Sequence, residues 1–119
     1  MNILIVDDSK AMRMIVTRTL KQAGLGGNSF SEAGNGREAL ESIQEAQPDL
    51  VLCDWNMPEM NGIELLQALR SEGCEVTFGF VTSEGTPEMR QQASDSGAAF
   101  FVTKPFTAET FQEALSSVM

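Results

Sequence analysis

The chain contains no histidine and only two cysteines, Cys53 and Cys74, in neither a CxxC pair nor any metal-binding spacing. Zinc is thereby disfavoured, because its protein sites are built from imidazole and thiolate ligands. The two cysteines read as small hydrophobes in a reducing cytoplasm. Basic residues are also scarce: 8 Lys and Arg stand against 17 acids, for a net charge of -9. Direct nucleic-acid binding is excluded on that ground, since phosphate contacts need clustered cations. No apolar run approaches the ~18 residues that cross a bilayer, so no membrane insertion is expected. The start Met1-Asn-Ile-Leu-Ile-Val lacks a basic n-region and is expected to be neither signal peptide nor anchor.

What is present fits one α/β domain spanning residues 1–119, at 42% apolar composition. Ile3–Val6 and Leu50–Asp54 are short apolar runs that read as strands buried on both faces. Ser29–Ala33 is a weaker, more polar strand suited to an edge, and Val76–Thr82 and Ala99–Thr103 supply two more. Between them lie helical patterns. Met12, Ile15, Val16, Leu20 and Ala23 mark the buried face of the first; Ala39, Leu40, Ile43 and Ala46 that of the second; Ile63, Leu66 and Leu69 that of the third. The fourth, Pro87 to Asp95, has only Met89 and Ala93 as apolar anchors and should be the least firmly docked. The fifth follows a Thr107 cap with Ala108, Phe111, Ala114, Leu115 and Val118 on one face. Five alternations with short connections call for a doubly wound parallel sheet with right-handed crossovers.

In such a sheet, ligands bind beyond the carboxyl ends of the strands. Asp7 and Asp8 follow the first strand, Asp54 closes the third, Thr82 the fourth, and Lys104 follows the fifth. Each alone has an ordinary explanation, such as a helix cap for Asp7 or Asp8 and a solvated loop for Lys104. Their common edge is what argues for a site. Three carboxylates gathered together repel one another, and a hard cation with oxygen ligands, best Mg2+, would hold them. A carboxylate can also act as a nucleophile toward phosphorus if the charge of the transferring group is neutralised. Asp54 would attack, with Lys104 and the Thr82 hydroxyl meeting the phosphoryl oxygens.

These residues, with Met57-Pro58 and Gly62 behind Asp54 and Lys104-Pro105-Phe106 after the last strand, resemble the receiver domain of bacterial two-component response regulators. The Asp54-Trp-Asn-Met-Pro58 stretch is most similar to the stand-alone chemotaxis regulators. The resemblance implies a flavodoxin-like (βα)5 fold with strand order 2-1-3-4-5. It implies that Asp54 accepts a phosphoryl group from the phosphohistidine of a sensor kinase or histidine phosphotransfer domain. Asp7, Asp8, Asp54 and the Asn56 backbone carbonyl would serve Mg2+, Asp7 mainly through bound water, and Lys104-Pro105 would be cis. Thr82 and Phe101 would form the switch, Phe101 standing where many members carry a tyrosine. Such a protein is expected to be a cytoplasmic monomer that assists only its own phosphorylation and autodephosphorylation and signals to a downstream protein the sequence does not identify.

Two rival classes are weaker. A phosphatase of the haloacid dehalogenase type also uses a strand-end Asp and Mg2+, but looks for a second acid two residues on, where this chain has Asn56. A flavin or nucleotide carrier would need a Gly- or Ser/Thr-rich phosphate loop after strand one, where Asp7-Asp8 would repel the phosphate. Trp55, the single tryptophan, adjoins the acceptor, so its fluorescence is expected to report the site; the alternative is a partly exposed aromatic with no role. Half of the basic residues, Lys10, Arg13, Arg18 and Lys21, lie on the first helix. That concentration suits docking of a phosphodonor partner, with Arg13 and Arg18 as the expected contacts.

Overall fold

In the computed structural model, residues 1–118 are described. Five strands, β1 (Asn2–Val6), β2 (Ser29–Ala33), β3 (Leu50–Cys53), β4 (Thr77–Thr82) and β5 (Phe100–Thr103), form one sheet. Its order is β2-β1-β3-β4-β5, every pair parallel. The helices are α1 (Lys10–Leu20), α2 (Gly36–Glu45), α3 (Gly62–Ser71), α4 (Pro87–Asp95) and α5 (Ala108–Ser116). This is the flavodoxin-like arrangement expected from the sequence.

Side-chain alternation along each strand divides the interior into two layers. Leu4, Val6, Val51, Cys53, Phe78 and Phe80 point to one face and pack with Ala39, Ile43, Leu65, Leu66, Leu69 and Ala93 of α2, α3 and α4. Ile3, Ile5, Leu50, Leu52, Val81 and Val102 point to the other and meet Val16, Leu20, Phe111 and Leu115 of α1 and α5. β3, and β1 after its exposed first residue Asn2, are buried on both faces and accordingly apolar, whereas β2 at the edge keeps Ser29, Ser31 and Glu32 exposed.

Each helix starts on a side-chain cap: Ser9, Asn35, Asn61, Thr86 and Thr107 accept from backbone N–H groups of their first turns. α3 and α5 carry reciprocal capping boxes. α4 has Ala93 as its one buried residue, in keeping with its meagre apolar pattern. The first helix departs from expectation. Ile15 is 44% exposed, and Thr19 is buried in its stead, its hydroxyl donating to the Ile15 carbonyl at 2.8 Å. At 100° per residue, Met12, Val16, Thr19 and Ala23 lie within one narrow stripe and Ile15 falls outside its edge. Beyond Leu20 the helix widens into a π-helical turn, Lys21–Leu25, where Gly24 at φ 100° breaks the path.

Candidate functional site

Because strand order reverses between β1 and β3, the loops after these two strands diverge and leave a cleft between them. Asp7 and Asp8 sit on one lip and Asp54 on the other. The sheet ladder runs on just far enough to fix both: the Asp7 amide donates to the Ala33 carbonyl at 3.2 Å and the Asp54 amide to the Val6 carbonyl at 2.9 Å. β4 and β5 bring Thr82 and Lys104 to the same edge, where the Lys104 amide donates to the Thr82 carbonyl at 2.8 Å.

Lys104 reaches across β4 to the acids of the cleft. Its ammonium lies 3.1 Å from Asp7 Oδ2 and 3.3 Å from Asp54 Oδ2. The other carboxylate oxygens take backbone donors, Asp7 Oδ1 from the Ser9 amide at 2.9 Å and Asp54 Oδ1 from the Trp55 amide at 2.7 Å. Asp7 and Asp54 are buried, while Asp8 is exposed and forms no ion pair among the described residues. Carboxylate oxygens of all three lie within 4.8 Å of one another. One lysine among three acids leaves an excess of negative charge that a divalent cation with oxygen ligands would offset, and this donor set fits Mg2+.

Burial holds the Asp54 carboxyl above the usual carboxylate range, opposed by the Lys104 ammonium and reinforced by Asp7; Thr82 and the Trp55 amide favour the charged form. The Thr82 hydroxyl is fully buried and has no hydrogen-bond partner among the described residues. Its influence on Asp54 is therefore that of a nearby dipole, and the oxygen is left with unused donor capacity beside the acid. The Cys53 thiol, buried next door, is pushed well up by burial and by the Asp54 and Asp7 charges, which keeps it protonated and inert.

The loop after β3 is shaped by Gly62. Its amide donates to the Trp55 carbonyl at 2.8 Å, and a Cβ there would strike the Asp54 carbonyl and the Phe80 ring. That close approach turns Trp55 inward. Trp55 is only 8% exposed, which argues against the reading of it as a partly exposed aromatic, with its ring centroid 4.9 Å from Phe80 and 6.3 Å from Phe101. Phe101 is half-buried, 5.8 Å from Phe80, with the Arg90 guanidinium 4.8 Å above its outer side. Asn56 is exposed and donates its side-chain amide to Glu84 at 2.9 Å, and no backbone N–H meets its carbonyl among the described residues. An amide at this place supplies no acid for a leaving group. The Lys104-Pro105 peptide is cis.

Arg13 corrects a second expectation. Rather than facing solvent as a docking contact, it donates Nη1 to the Asp7 carbonyl at 2.7 Å and pairs through Nε with Glu32 at 2.7 Å. Its position one turn after the Ser9 cap gave no sign of this, because Glu32 arrives from β2.

Fold and site together define a flavodoxin-like α/β domain with an acidic cluster at its topological switch point. Residues 3–116 match the family described as the response regulator receiver domain, and the chain belongs to that family. It is 39% identical to chemotaxis protein CheY-3 of Vibrio cholerae, over 99% of this chain and 91% of that one. It is 37% identical to chemotaxis protein CheY1 of Helicobacter pylori, over 100% and 97%. Among solved structures, that of Vibrio cholerae chemotaxis protein CheY4 superposes with a TM-score of 0.85 at 36% identity, over 99% and 98% of the two chains. The signal receiver domain of the putative response regulator NarL from Mycobacterium tuberculosis gives 0.84 at 30%, over 98% and 93%.

Proposed function

We propose that this chain is a phosphoacceptor response regulator in which Asp54 takes a phosphoryl group from a phosphohistidine of a sensor kinase or histidine phosphotransfer domain. The observation that carries this reading is a buried carboxylate held by Lys104 beside two further acids, with an unpartnered buried hydroxyl at its side. An Asp54 carboxylate oxygen attacks phosphorus; the new O–P bond forms as the donor P–N bond breaks and the imidazole leaves. Lys104 follows the charge onto the phosphoryl oxygens, and the Thr82 hydroxyl donates to one of them. Asp7, Asp8, Asp54 and the Asn56 carbonyl would hold Mg2+, which supplies neutralisation of the phosphoryl charge. The chain assists its own phosphorylation and autodephosphorylation and is otherwise a signalling protein, not an enzyme acting on a separate substrate.

Output runs through a protein partner. Movement of Thr82 toward a phosphoryl group vacates space beside the Phe101 ring, whose inward rotation would shift α4, the helix with the smallest apolar anchor. The face formed by α4, β5 and α5 is the reading surface. The relatives' names support a role in chemotaxis, and we propose that the protein acts as a cytoplasmic monomer. No helix among the described residues is long and apolar enough to cross a membrane. Incubation with acetyl phosphate and Mg2+ should add one base-labile phosphoryl group per chain, absent in Asp54→Asn. Equal labelling of that variant would refute the assignment.

A further inference from the structure

We propose that Arg13 is a positioning residue of the metal-binding lip, acting on the peptide group between Asp7 and Asp8. The inference rests on the reading above that these acids hold Mg2+. β1 ends at Val6, so the Asp7 carbonyl lies beyond the strand's last residue. Arg13 is the side chain that takes it, at 2.7 Å, while Glu32 on β2 grips the same guanidinium at 2.7 Å and fixes its angle. The Arg13 side chain is 16% exposed, so this is a partly desolvated clamp and not a surface ion pair. Asp7 is independently anchored through both carboxylate oxygens, by Ser9 and Lys104. Asp8 is not: it is exposed, and its carboxylate has no hydrogen-bond or ion-pair partner among the described residues. Where Asp8 points is therefore set by its backbone, and the peptide plane leading into it is what Arg13 holds.

The sign of the effect separates positioning from simple charge. Arg13 is a cation close to a cation site, so on electrostatics alone its removal should tighten Mg2+ binding. If the clamp orients the Asp7-Asp8 peptide, removal should instead weaken it, by the roughly 10- to 100-fold typical of groups that orient metal ligands. Mg2+ titrations monitored by Trp55 emission, and separately by the Mg2+-dependent rise in Tm, should show Arg13→Ala weakened about tenfold or more. Arg13→Lys, which keeps a donor and the charge, should recover part of the loss. Glu32→Gln, a change at a 48% exposed carboxylate, should loosen the clamp and weaken binding by a smaller factor without disturbing the fold. Melting in EDTA reports separately on folding. A variant set that binds Mg2+ as tightly as wild type, or more tightly, would overturn the proposal, as would a loss in Arg13→Ala matched by Arg13→Lys and absent in Glu32→Gln. If wild type itself gives neither an emission change nor a Tm rise with Mg2+, the reading of the acids as metal ligands fails first.

Discussion

Replacing Asp54 by Asn should make the metal-free protein more stable, because the acceptor carboxylate is held where its charge is costly. At an effective dielectric constant near 20, Lys104 at 3.3 Å attracts the Asp54 charge by about 5 kcal/mol. Asp7, with its nearest oxygens within 4.8 Å, repels it by about 3.5 kcal/mol, and the exposed Asp8, screened as in water, adds about 1 kcal/mol. The Coulomb terms nearly cancel, which leaves the burial of a carboxylate only 9% exposed as the deciding cost. An Asn keeps the acceptor for the Trp55 amide and leaves the Lys104–Asp7 pair intact. We expect a gain of about 1–2 kcal/mol, which for a domain of this size raises Tm by roughly 5 °C. Because the folded-state pKa of Asp54 is raised, the folded protein holds this proton to higher pH than the unfolded chain does. The group's contribution is full below the unfolded carboxylate range of about 4 and is lost as pH rises through the folded value. The advantage of Asn should thus be near zero at pH below about 4 and grow as pH rises toward and through the folded value. Thermal melts in EDTA from pH 4 to 8 measure this. Added Mg2+ should reverse the order, since saturation at 100 times Kd stabilises the wild type by about 2.7 kcal/mol. A variant less stable than wild type in EDTA at pH 7, or an advantage independent of pH, would refute the reasoning.

Charge reversal at Arg18 and Lys21, which flank the exposed Met14 and Ile15 on α1, should slow phosphoryl transfer from a phosphohistidine donor several-fold. Acetyl phosphate labelling should be unchanged; equal losses with both donors would point to a damaged fold. Glu59 is exposed and sits at φ 65°, a conformation that costs an L-residue about 1–2 kcal/mol and glycine almost nothing. Glu59→Gly should therefore be neutral to stabilising by about 0.5 kcal/mol in chemical denaturation once glycine's extra chain entropy is counted, and a clear loss would show that the Glu59 side chain has a role. Amide exchange with and without beryllofluoride should change protection across residues 84 to 106, through α4 and β5; a change confined to the metal lip would rule out the Phe101 route.

Much of this protein is determined by local sequence. Short apolar runs punctuated by Pro48, Pro58 and the glycines fix five strands, and their alternation with helices leaves a parallel sheet as the arrangement that buries every apolar face. Parallel strands all end on the same side, so Asp7, Asp54, Thr82 and Lys104 had to share an edge wherever each strand lay. What periodicity cannot carry is which groups meet across elements. Trp55 turned inward because Gly62 lets the chain close over the Asp54 carbonyl and the Phe80 ring. Arg13 read as a docking cation until the sheet set Glu32 beside it, and only the fold puts the Arg90 guanidinium over the Phe101 ring. Such pairings depend on strand order and register, which bring together residues 11 to 97 positions apart, and only the tertiary structure specifies them.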